Sequence, residues 1–122
     1  MERDGNAICQ VSRDSLYLGV MERFASREAF LIWDGRPNKG ARRAVPRHLH
    51  KKAATLIDKL INTATLKDCS SYPPGWRFKE LHGKLRGTYQ IRIDEQYRIR
   101  FQWDPRRGAV GIDIGEFHGE DD

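Results

Sequence analysis

The side chains in this sequence best suited to chemistry are its histidines and its strand-type arginines. Four histidines are present, His48, His50, His82 and His118, and none stands in a motif with a nucleophilic serine or cysteine, so no hydrolytic triad is legible. An imidazole titrates near neutrality and can serve as base or acid. His48 and His50 sit at alternate positions beside the start of an expected helix, where side chains point apart, which does not suggest a metal pair. Cys9 and Cys69 are far apart and outside any close ligand pair, so they indicate neither a disulfide framework nor a zinc site. Arg92, Arg98 and Arg100, with Gln102, fall on one side of an alternating pattern. Guanidinium groups so arranged can bind phosphates and stack on bases, although a sheet face kept polar for solubility would look the same.

Charge points towards polyanions. The chain has 122 residues, a formal net charge of +5 and a pI near 9.5, and a small basic domain attracts nucleic acid first among its partners. Arg36, Lys39, Arg42, Arg43, Arg47, Lys51 and Lys52 form a run with no acid between them; a solvated face and a nucleic-acid contact are both consistent with it. The length fits one domain able to bury a core without staples. With 39% hydrophobic and 32% charged residues the composition is that of a globular protein with no span long enough for a bilayer. The first twenty residues lack the apolar stretch of a signal peptide. A reducing cytosol, and no membrane partner, is the expectation.

Two helices and a sheet must position these groups. Ser26 caps a short helix carrying Ala29, Phe30, Ile32 and Trp33, which Gly35 and Pro37 end. Arg36 to Val45 reads as a loop, and Pro46 suits the first turn of a longer helix whose Leu49, Ala53, Leu56, Leu60 and Ala64 recur at helical spacing. After Pro73, Pro74 and Gly75 the period changes to alternation. Tyr89, Ile91 and Ile93 form one apolar face, Tyr97, Ile99, Phe101 and Trp103 the next, and Val110, Ile112 and Ile114 the last. A strand around Arg77 to Leu81 makes four, and Met21 to Ala25 can add an edge. The expected class is α+β, with two helices packed on one face of a twisted, mainly antiparallel four- or five-stranded sheet and the arginine face left open.

Taken in order, Phe24, Ile32-Trp33-Asp34-Gly35, the helix after Pro46, Pro73-Pro74-Gly75, Leu81-His82-Gly83, Tyr89-Gln90-Ile91-Arg92-Ile93 and Gln96-Tyr97-Arg98-Ile99 resemble HigB toxins of the RelE/ParE superfamily. The resemblance covers roughly residues 21–118. It implies a RelE-like fold and the toxin component of a type II toxin–antitoxin system. It also implies ribosome-dependent cleavage of mRNA without a metal or other cofactor, and a helix-turn-helix, HigA-like antitoxin through which DNA is met only indirectly. A bacterial cytoplasm follows. Residues 1–20 then read as an N-terminal extension of unknown role, 21–118 as the toxin domain and 119–122 as an acidic tail. Because the same fold also serves gyrase poisons, a non-nucleolytic inhibitor, or a catalytically weakened relative that still binds antitoxin, stands as the alternative.

Metal-free RNA cleavage requires a base for the 2′-hydroxyl, cations at the phosphate and an acid for the leaving 5′-oxygen. On the resemblance, Glu116-Phe117-His118 matches an Asp-Tyr-His ending, which places His118 as the catalytic histidine, and Arg98 matches an arginine near the scissile phosphate. Lys79 and His82 fall where relatives carry a histidine and a lysine, with the types exchanged, so the allocation of their roles stays open. Glu116 can orient His118 or transfer a proton. Phe117 lacks the tyrosine hydroxyl but keeps a ring for stacking. Lys84, Arg86, Arg92 and Arg100 complete the expected RNA contacts.

Overall fold

The computed structural model describes residues 19–117. Helix α1, Arg27–Asp34, is capped as its sequence predicts: the Ser26 hydroxyl accepts the Ala29 N–H at 3.1 Å, and Gly35 closes the helix in the left-handed conformation at φ 79°. The expected loop over Arg36 to Val45 instead contains a second helix, α2, Lys39–Ala44. Asn38 is the reason, since its side-chain oxygen accepts the Ala41 N–H at 2.9 Å and opens a turn that buried Ala41 anchors to the core. The third helix, α3, His50–Ile61, follows a 3-10 turn over Arg47–Leu49. It is shorter than its apolar spacing suggests, and Ala64 lies beyond it, exposed.

Four antiparallel strands follow in the order β1 (Lys79–Glu80), β2 (Thr88–Arg92), β3 (Arg98–Asp104) and β4 (Gly108–Gly115). The expected strand Arg77 to Leu81 is reduced to two residues, because Arg77 leaves the preceding 3-10 turn at φ 48° and the chain reaches extended pairing only at Lys79. The expected edge strand near Met21 is a single parallel bridge between Phe24 and Ile112. Ala25 N–H donates to the Ile112 carbonyl at 2.7 Å, and Ile112 N–H to that of Arg23 at 2.9 Å. The sequence then turns at Ser26 into α1, so nothing extends the pairing.

The α+β arrangement is as expected, with α1 and α3 packed on one another and on β4. Ala53, Leu56, Ile57 and Leu60 of α3 meet Ile91, Ile99, Phe101, Ile112 and Ile114 of the sheet, all buried. Each large side chain so buried contributes about 1.5–3 kcal/mol. One sheet expectation is corrected. Val110 does not share a face with Ile112 and Ile114: it pairs with Gln102, and Ala109 is buried in the core instead. Between the Arg100–Asp113 and Gln102–Val110 pairs β4 spends one residue more than β3. Gly111, at φ 61°, takes up this bulge. A side chain there would collide with the amide of Gln102.

Arg23 joins the layers. Its Nε–H donates to the Ala109 carbonyl at 2.8 Å and an Nη to that of Ile61 at 3.4 Å, so one side chain ties β4 to the last turn of α3. Burial, then the nearby charge of Arg107, lowers its pKa.

Candidate functional site

In an antiparallel sheet, directly paired residues project from the same face. Ile91, Ile99 and Ile114 form one such rank against the helices. The ranks on either side must point the opposite way: Lys79, Gln90, Arg100 and Asp113 are consecutive partners across all four strands, and Arg92, Arg98 and Gly115 across three. The open face therefore carries one lysine and three arginines from three strands.

These cations are not equivalent. Arg98 is 9% exposed, unlike an ordinary solvent-facing strand residue. It is drawn back over the β2–β3 turn, where its Nη1 donates to the carbonyls of Asp94 and, at 3.2 Å, of Tyr97. Arg92 Nε–H donates to the same Asp94 carbonyl at 3.2 Å. The turn is fixed by Asp94, whose Oδ1 accepts the N–H groups of Gln96 at 2.9 Å and Tyr97 at 2.7 Å. Burial pushes this carboxyl up, but those two N–H donors and the charges of Arg98 and Lys52 outweigh it and hold the group below its ordinary value. Arg100 lies two residues along β3, its Nε–H on the Gln90 amide oxygen at 3.0 Å.

The segment after β4 returns onto this face. Glu116 accepts the Gln96 amide at 2.7 Å. The Phe117 ring lies over Gly115, where an added Cβ would stand 3.4 Å from it, and 4.6 Å from the Arg100 guanidinium. Lys79, Arg92, Arg98, Arg100, Glu116 and Phe117 are thus brought together. His118, the next residue, and the tail 119–122 lie outside the described residues, as do positions 1–18 of the expected extension.

His82, Lys84 and Arg86 are placed differently. All are exposed on the β1–β2 connection around a 3-10 turn, Gly83–Leu85. His82 and Arg86 border an open cavity of about 350 Å³ with Glu80 and Leu81. Of the exchanged pair, Lys79 therefore stands in the rank of Arg100 and His82 in the loop. A larger cavity, about 750 Å³, is bordered by Thr63, Tyr72 and Trp76 and holds none of the predicted residues. Among the described residues no three His, Cys, Asp or Glu side chains gather in a way that could hold a metal ion, and no helix is long and apolar enough to cross a membrane. Sequence reading missed Gln90 and Asp94. An Asp opening a tight turn is a recognisable signal for the second, whereas the burial of Gln90 has none.

Comparison with known proteins agrees with the topology. The family model of the RelE-like toxin of the type II toxin–antitoxin system HigB matches residues 37–113, more than half of the chain. Toxin HigB-1 of Vibrio cholerae serotype O1 is 40% identical over 45 residues, or 37% of this chain. The alignment spans about half, 47%, of that relative's length. With the helix layer, the four-stranded sheet and this match in agreement, the chain belongs to the HigB family of RelE-like toxins of type II toxin–antitoxin systems.

Proposed function

We propose that the protein is a ribosome-dependent mRNA endonuclease that inhibits translation by metal-independent RNA cleavage in the bacterial cytoplasm. A HigA-like helix-turn-helix antitoxin holds it in check. The observation that carries this reading is the rank structure of the face opposite the helices: Lys79, Arg92, Arg98 and Arg100 share it, with Phe117 against Arg100 and Glu116 on Gln96 of the adjoining turn. Such a face concentrates positive charge where a phosphodiester develops negative charge, and preorganised cations act there without reorganisation.

In this reading Arg98 stabilises the pentacoordinate phosphate. Its Nη1 bonds to two turn carbonyls fix the guanidinium before substrate arrives. His118 transfers the proton to or from the 2′- or 5′-oxygen, Glu116 orients it, and Lys79 and His82 supply a cation and a second imidazole. Phe117 stacks on a base, while Lys84, Arg86 and Arg92 meet the backbone.

The test is controlled expression in bacteria beside a supercoiling assay with purified protein. Growth arrest relieved by co-expressed antitoxin, with supercoiling by gyrase unaffected, is the expected result. Inhibition of gyrase without ribosomes would replace the nuclease reading with a binding inhibitor, and growth without arrest in the presence of folded protein would replace it with an inactive relative.

A further inference from the structure

Arg100 is held on two sides by residues whose contacts have a common effect. Gln90 is 2% exposed, and an amide oxygen so buried costs about 1–3 kcal/mol if it lacks a donor. Arg100 supplies the donor through Nε at 3.0 Å, while the Phe117 ring supports the guanidinium at 4.6 Å. Asp113, the partner of Arg100 across β3–β4, accepts the backbone N–H of Ile114 at 2.9 Å. Among the described residues no hydrogen bond reaches the two Nη groups of Arg100. A guanidinium tethered at Nε presents both terminal nitrogens as a fork, the geometry that grips a phosphate in two places.

We propose that Gln90 is a positioning residue for Arg100, and that the pair forms a phosphate grip for single-stranded RNA, separate from the phosphate met by Arg98. This rests on the nuclease reading above. Arg98 and Arg100 are two residues apart on β3 and project from the same face of the sheet, so one strand of RNA lying on that face can meet both. The substrate class is an unpaired stretch of message, whose accessible bases also suit the Phe117 ring that lies beside Arg100.

The experiment is a double-mutant cycle read on mRNA cleavage by the full chain with purified 70S ribosomes carrying a defined message. Gln90→Met keeps the side-chain length and removes the acceptor. It is expected to lower kcat/KM about tenfold, through a higher half-saturating concentration of programmed ribosomes and little change in the maximal rate. In an Arg100→Met background the same substitution is expected to cost nothing further. Equal losses in both backgrounds would make Gln90 merely structural and overturn the proposal. Arg100→Lys keeps the charge without the fork and is expected to lose about tenfold as well, with its thermal midpoint measured beside it to show that the variant is folded; full activity there would also overturn the proposal. A wild-type protein that cuts nothing under these conditions would remove the nuclease reading itself, an outcome distinct from cleavage that ignores Gln90.

Discussion

At the scale of single residues, the site depends on a turn as much as on its cations. Arg98 serves both, since its guanidinium is fixed by the Asp94 and Tyr97 carbonyls. Arg98→Ala is expected to reduce mRNA cleavage by at least about a hundredfold and to cost about 1–2 kcal/mol of stability through the lost turn bonds, read from cleavage rates and denaturant midpoints. Asp94 gives a prediction with a sign. Its carboxyl is held below its ordinary value in the folded chain, so its contribution is present above the unfolded value near pH 4 and is lost as the pH falls through the folded one. Asp94→Ala should therefore be less stable than wild type by about 1–2 kcal/mol at pH 7, with the difference shrinking below pH 4. A gap that persists at pH 2 would assign the effect to something other than the ionised carboxylate.

At the scale of elements, much was legible in the sequence, for physical reasons that also explain what was not. Helix α1 could be read because Ser26 and Gly35 mark its ends with the residues that capping geometry requires. The β2–β3 hairpin could be read because each of its faces is chemically uniform, Ile91 and Ile99 inward, Arg92 and Arg98 outward. Helix α2 was hidden because Lys39 to Ala44 has too few apolar residues to show a period. The bulge was hidden because Val110-Gly111-Ile112 alternates as well as a regular strand does, and only the φ of 61° at Gly111 shows the extra residue. Gly111→Val is expected to destabilise the protein by about 2–3 kcal/mol, from a disfavoured backbone and a collision with Gln102, measured as a lower thermal midpoint. The candidate site was legible in its charges but not in its tethers. That Arg98 and Arg100 share a face follows from their spacing; that one is buried over a turn and the other held by Gln90 depends on side-chain packing, which has no sequence period. The tie made by Arg23 is of the same kind. Arg23→Met should loosen the contact between α3 and β4 and cost about 1–3 kcal/mol, and hydrogen exchange should show the loss first at Ala109 and Ile112, where Arg23 makes its contacts with β4.

At the scale of the whole molecule, the layers divide the labour. The helices bury the apolar face of the sheet, which frees the opposite face to carry cations from β1, β2 and β3 and to receive the segment after β4. The net charge of +5 favours association with a polyanion, and salt should weaken that association. The central claim is that this face cuts translated mRNA. Mapping transcript 5′ ends after brief induction of wild type, Arg98→Ala and His118→Ala tests it most directly. Growth arrest accompanied by new ends inside translated frames, absent from both variants, is the expected result; arrest with no new ends, or ends that persist in both variants, would contradict it.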